Sequence, residues 1–330
     1  MIFFIKGVFY FSGAVLLIAP LINFISKKIS DIRNPSPGSF LYVNNKKIHY
    51  IDKGRSDDEG PVVVVISGCG CNLLPWISLQ ESVSKFARII TYDRSGLGWS
   101  DWTNSPKTAI NVAAELKAFL KELSIDKNVI LVGHSLGGLY ARVFASIYSR
   151  MVVGIVLVDP MTEFMNYSLE YGILDEWLKS IRLLKTLTFF GLHHFVKDKL
   201  SKVAKLVLNN KIKETFSFRI IKLMRLSEFF YNEICARELE VLGMEPSVVE
   251  LKLLRNKLED KPLVIVTADN KIQSNEAYWT EWRAVQARLL LLSSKGSQVF
   301  ARSSDHEVVL WQPELIVAAV KKVLSQGQKA

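Results

Sequence analysis

An α/β fold with a mostly parallel central sheet is what this sequence predicts, and three observations carry the prediction. Continuous apolar runs recur at residues 61–66, 129–132, 152–158 and 262–267, each ending in a turn, as strands buried on both faces of a sheet do. Stretches with apolar residues at three- and four-residue spacing separate several of them, the rhythm of parallel strands joined by crossover helices. A serine framed by glycines, Gly133-His134-Ser135-Leu136-Gly137, lies where one run gives way to a helix-forming segment.

The chain has 330 residues, 49% of them hydrophobic, with a net charge of +10 and a mean hydropathy of +0.18. Residues 7–25 form an apolar run of 19, interrupted mainly by Ser12 and Asn23, and such a run is long enough to span a bilayer as a helix. A retained single-pass anchor within residues 1–33 is expected ahead of a cleaved signal peptide, because no clear small-x-small site precedes Lys27. Lys6 before the run and Lys27, Lys28 and Arg33 after it give a small bias toward a cytoplasmic main domain, leaving the side of the membrane open. Residues 34–38, Asn-Pro-Ser-Pro-Gly, read as a linker, since two prolines and a glycine stop any continuing helix.

The folded part begins near Ser39. Residues 40–43 and 46–51 fit a hairpin about Asn44-Asn45, because asparagine tolerates the positive φ of a tight turn. Residues 61–66 make a buried strand ending in Ser67-Gly68-Cys69-Gly70. Ligands of parallel sheets gather at the carboxyl ends of strands, so this turn can offer backbone donors, Cys69 first and Gly70 next. Residues 88–92 give another strand, and Asp93-Arg94 at its end read as structural. A helix over 108–123 leads into the strand that begins at Val129.

At Gly133-His134-Ser135-Leu136-Gly137 the glycines remove Cβ atoms that would collide two residues either side of a strained serine. The turn lifts Ser135 Oγ clear of the backbone. It also opens a helix whose dipole favours negative charge and aims the Leu136 N–H at a developing oxyanion. After the strand 152–158 and Asp159-Pro160 the strand-helix rhythm lapses. Residues 160–261 read as a helical cap inserted between a first core part, 39–159, and a second, 262–330. Within it, residues 179–225 hold twelve Lys or Arg against two acids, either a surface for anionic lipid headgroups or a solvated cationic face. No nucleic-acid-binding motif accompanies that charge. The sheet resumes at 262–267, with a helix over about 275–293, a last strand at 298–301 and a closing helix after Pro313.

Seryl chemistry needs a base and a carboxylate to orient it. Of five histidines, His134 lies inside the turn, His49 in the hairpin, and His193 and His194 in the cap. His306 follows the last predicted core strand and is the favoured base. Cys69, Cys71 and Cys235 are too few and too scattered for a disulfide framework or a zinc site.

In these features the chain resembles the α/β-hydrolase superfamily over residues 39–326. Gly133 to Gly138 match its nucleophile elbow, Asp93-Arg94-Ser95-Gly96-Leu97-Gly98-Trp99-Ser100 its D-R-x-G-x-G-x-S turn, and Asp305-His306 followed by Pro313-Glu314 its terminal histidine segment. Ser67-Gly68 stands where the family commonly has His-Gly, with Trp76 at the aromatic position beyond. The resemblance implies the α/β-hydrolase fold, a mostly parallel sheet with helices on both faces and an inserted helical cap. It implies the triad order Ser135, Asp, His306, with an oxyanion hole from Leu136 and Cys69. The acid stands either after the strand that follows the cap, at Asp269, or after the strand that follows the elbow helix, at Asp159, with the balance on Asp159. A serine nucleophile points away from epoxide hydrolases and dehalogenases, which use aspartate there.

The expected function is hydrolysis of an ester of a hydrophobic acyl group, lipid esters among the candidates, through an acyl-enzyme. An aminopeptidase or amidase on the same triad, and a non-catalytic ligand-binding module of the same fold, stand as alternatives. No metal or organic cofactor is implied.

Overall fold

A run that is apolar at every position leaves no face for water, so it is stable as a strand only where both sides of the sheet are covered. The computed structural model describes residues 18, 21–22, 24–25, 28–54, 60–164, 172–193, 210–254, 257–269, 276–302 and 304–327. Its strands are β1 (Ser39–Val43), β2 (Lys46–Lys53), β3 (Val62–Ile66), β4 (Ile89–Tyr92), β5 (Val129–His134), β6 (Val152–Val158), β7 (Leu263–Ala268) and β8 (Gly296–Ala301). They form one sheet in the order β1-β2-β4-β3-β5-β6-β7-β8. The hairpin and the β2–β4 pair are antiparallel, and every other pair is parallel. Asn44 and Asn45 make the hairpin turn with φ of +47° and +62°.

Burial on both sides is literal in β3, β5, β6 and β7. Val64, Leu131, Ile155, Leu157 and Ile265 enter one apolar cluster with α2 (Ala109–Glu122) and α3 (Leu136–Ile147). Val63, Val65, Val132, Val156 and Val266 enter a second, with α1 (Ile77–Val83) and the closing helix Pro313–Gly327. The predicted helix over 275–293 is realised as Glu276–Arg288 followed by a tighter turn at Leu289–Leu292.

Between β6 and β7 the described chain is helical: α4 (Ile173–Phe189), α5 (Asn210–Thr215), α6 (Phe218–Ser227) and α7 (Tyr231–Leu253). Residues 165–171, 194–209 and 255–256 of the predicted cap lie outside the described residues. Arg182 and Lys185 of α4 are turned onto Glu238 of α7, so part of the basic stretch serves to tie two helices together.

The expected membrane location is corrected. Among the described residues no helix is long and apolar enough to cross a membrane. Residues 28–33 are helical but carry Lys28, Asp31 and Arg33, and the turn ends where the Asn34 backbone and side-chain amides both donate to the Ser30 carbonyl. Most of the apolar run 7–25 lies outside the described residues.

Helix α7 packs on α2, α3 and α4 and buries Glu233, Glu238 and Glu240, which are 1%, 9% and 0% exposed. Glu233 accepts from Asn72 Nδ2 and from the Gly98 N–H, each at 2.8 Å. Burial outweighs these two bonds and pushes its pKa up to about 7. A carboxyl whose pKa rises on folding contributes stability that is full below its ordinary 4.5 and is lost as pH climbs through about 7. Glu233→Gln removes that titration, so the melting temperature of the variant should gain on the wild type between pH 5 and pH 8. A constant difference between the two melting curves across that range would contradict this.

Candidate active site

The site is assembled at the carboxyl ends of β3, β5 and β6 by one strained turn. Ser135 adopts φ +53°, ψ −124° between β5 and α3, a region that costs a non-glycine residue of order 1–3 kcal/mol. The close approach around it is possible only without side chains. A Cβ on Gly133 would lie 2.5 Å from the Gly137 carbonyl oxygen, and one on Gly137 would lie 2.5 Å from that of Ser67. Backbone bonds then fix the serine to the neighbouring strand. The Ser135 N–H donates to Val158 O at 3.1 Å, and the Met161 N–H returns to Ser135 O at 2.9 Å. The turn carrying Ser135 and the turn carrying Asp159 are therefore stitched together.

Asp159 is 1% exposed and holds φ +41°. Its Oδ1 accepts from the Ala268 N–H at 2.9 Å and from the Trp282 indole at 2.8 Å. Its Oδ2 faces His306 Nδ1 at 2.7 Å. A carboxylate can only accept there, so Nδ1 carries the hydrogen and the lone pair is left on Nε2. Burial works against a charged His306, but the bond and charge of Asp159, with Glu307 and Asp305 beyond, outweigh it and raise the pKa above the ordinary 6.5. No hydrogen bond joins Ser135 Oγ to His306 among the described residues. Such contacts are often long in an unliganded site and tighten when substrate arrives.

Asp269 lies elsewhere: its Oδ1 is bound by Arg283 Nη1 at 2.8 Å. Asp305 accepts from the Glu307 N–H at 2.9 Å and shapes the turn that carries His306. His134 donates from Nε2 to the His306 carbonyl at 2.9 Å, with the two rings 4.7 Å apart. Burial, reinforced by His306, lowers the pKa of His134, which favours a neutral ring beneath His306. His49 is paired with Asp93 at 2.6 Å in the core, His193 stacks on Phe229, and His194 lies outside the described residues.

On the other side of the serine runs the Ser67–Gly70 turn. A Cβ on Gly68 would lie 3.2 Å from Ser135 Cβ, so this backbone passes directly beside Ser135. Of the two donors proposed from the sequence, the Gly70 N–H is committed to Glu240 Oε2 at 2.6 Å. The N–H groups of Cys69 and of Leu136, the first residue of α3, are taken by no other group among the described residues. Among those residues no cluster of three or more His, Cys, Asp or Glu side chains is arranged to hold a metal ion.

Sequence reasoning missed Trp282 and Glu240. The indole sits in α8 (Glu276–Arg288), and no spacing rule connects it to Asp159. Glu233, Arg237 and Glu240 do carry a signal, recurring at i, i+4 and i+7 on one face of α7.

Residues 61–181 match the family model of the alpha/beta hydrolase fold. Across 283 residues, 82% of this chain and 88% of the relative, the sequence is 24% identical to an AB hydrolase superfamily protein of Gibberella zeae. It is 35% identical over 108 residues to a protein of Hormonema carpetanum named probable transporter efuK, a match covering 32% of this chain and only 16% of that protein. Among solved structures, a thermophilic esterase from Thermogutta terrifontis superposes with a TM-score of 0.63 at 17% identity, covering 88% of this chain and 99% of the other. The chain has the α/β-hydrolase fold.

The geometry around Asp159 predicts how His306 titrates. Followed by the NMR shift of its ring C–H protons, His306 should titrate above 6.5 in the wild type, fall in Asp159→Asn, and hold its wild-type midpoint in Asp269→Asn. A midpoint that moves with Asp269 and not with Asp159 would contradict the pairing.

Proposed function

On the premise of the α/β-hydrolase fold, we propose that this chain is a serine hydrolase cleaving an ester of a hydrophobic acyl group, with lipid esters in range. Ser135 is the nucleophile, His306 the base, Asp159 its orienting carboxylate, and the Leu136 and Cys69 N–H groups the oxyanion donors. The observation that carries the reading is the 2.7 Å bond from His306 Nδ1 to an Asp159 whose other oxygen is already saturated by Ala268 and Trp282. A carboxylate held at both oxygens cannot swing away, so it fixes both the tautomer and the orientation of the imidazole.

In the first half-reaction Ser135 Oγ bonds to the ester carbonyl carbon while its proton passes to His306 Nε2. The carbonyl oxygen takes the electron pair and the negative charge, which the two N–H groups and the α3 dipole stabilise. Collapse breaks the bond to the alcohol oxygen, and His306 returns its proton to that leaving group. In the second half-reaction water repeats the sequence on the acyl-enzyme, releasing the acid and restoring Ser135. The raised His306 pKa suits it to hold the proton between these steps. Trp282 lies edge-on to His306, and Trp76 edge-on to His134 beside it, so apolar rings back the proposed base. The likeness to a thermophilic esterase is consistent with this chemistry.

A fluorophosphonate probe tests the nucleophile. The wild type should be labelled covalently, and labelling should disappear in Ser135→Ala and in His306→Ala. Labelling that survives Ser135→Ala, or a folded wild type that resists the probe, would count against the reading.

A further inference from the structure

Resting on the serine-hydrolase reading, we propose that Arg94 and Glu240 are positioning residues for the Cys69 oxyanion donor, which makes helix α7 part of the frame of the oxyanion hole. Arg94 is 1% and Glu240 0% exposed, and their side chains meet at 2.7 Å through Nε and Oε1. The other two nitrogens of the same guanidinium donate to the Ser67 carbonyl and the Gly68 carbonyl, each at 2.7 Å. The other oxygen of the same carboxylate accepts the Gly70 N–H at 2.6 Å. Two side chains thus grip three consecutive peptide groups around Cys69.

The grip on Gly68 has a directional consequence. The Gly68 carbonyl and the Cys69 N–H belong to one planar peptide, and all peptides here are trans, so the two groups point in opposite directions. Holding the carbonyl on Arg94 therefore aims the N–H away from Arg94. The guanidinium charge also polarises that peptide and strengthens its N–H as a donor. Glu240 fixes the next peptide through Gly70, leaving Cys69 no freedom to rotate. The contacts use only main-chain atoms of residues 67, 68 and 70, so a serine where relatives commonly have histidine leaves the frame intact.

A purely structural pair would be a costly choice, since replacing a buried ion pair by apolar side chains of similar volume is often neutral or stabilising. The distinguishing property of Arg94 and Glu240 is their simultaneous hold on the turn. Asp93 and Glu233 extend the same scheme outward: Asp93 Oδ1 accepts the Leu73 N–H at 2.7 Å, and Glu233 holds the side chain of Asn72.

The test uses hydrolysis of p-nitrophenyl butyrate by the full chain. Glu240→Gln, and Arg94→Met combined with Glu240→Leu, should each lower kcat about tenfold to a hundredfold, the range expected when a donor is misplaced by about an ångström. KM and the pH midpoint of the acidic limb should stay at their wild-type values, because substrate binding and His306 are untouched. Glu238→Gln, on the same helix but facing Arg182 and Lys185, should leave kcat unchanged. The apolar double variant keeps the comparison meaningful if Glu240→Gln folds poorly. A folded variant with wild-type kcat, a loss expressed wholly in KM, an equal loss in Glu238→Gln, or failure of both site variants to fold overturns the positioning role. A wild type that neither hydrolyses the ester nor depends on Ser135 for fluorophosphonate labelling overturns the underlying reading instead, and the inference with it.

Discussion

The backbone turn at Ser135 is the constraint on which the rest of the site depends. Its positive φ carries a cost of order 1–3 kcal/mol, and the conformation persists because packing leaves no alternative. Gly133, Gly137 and Gly138 bring β5, α3 and the β6 turn into contact where any Cβ would overlap backbone or Pro160. The turn in turn fixes three things at once: the hydroxyl of Ser135, the N–H of Leu136, and the hydrogen bonds that bind Ser135 to Val158 and Met161 on either side of Asp159.

Asp159, the carboxylate proposed to orient the base, illustrates how a site is built from separated segments. It follows β6, yet its two oxygens are occupied by groups from β7, α8 and the segment after β8. Each bond restrains the carboxylate in a different direction. Asp269 stands one strand further along but is neutralised by Arg283. Local charge pairing, and not position along the sheet, separates the two aspartates.

How much of this was legible in the sequence follows from the range of each interaction. The strands were legible because burial on both faces forces continuous apolar runs, and the Asn44-Asn45 turn because few residues accept positive φ. The elbow was legible because the residues that meet its steric demand, Gly133, Ser135 and Gly137, fall within five positions, although the backbone they clear includes Ser67 far away in sequence. The choice between Asp159 and Asp269 was not decided by sequence, since Trp282 and Arg283 lie 123 and 14 residues from their partners. Glu240 was missed for the same reason, its partner Arg94 being 146 residues away, while a carboxylate on a charged helix reads as solvated. The 19-residue apolar run met a length criterion for a membrane span, which is a statement of capacity. Charged residues at 28, 31 and 33 occupy the helical turn that follows it.

One covalent event, acylation of Ser135, carries the proposed chemistry. The most direct measurement is the mass of the protein after acid quenching during turnover of p-nitrophenyl butyrate, with the modified peptide then sequenced. A butyryl adduct confined to Ser135, and absent from Ser135→Ala, is the predicted result. Turnover with no adduct, or with the acyl group on another residue, would contradict it.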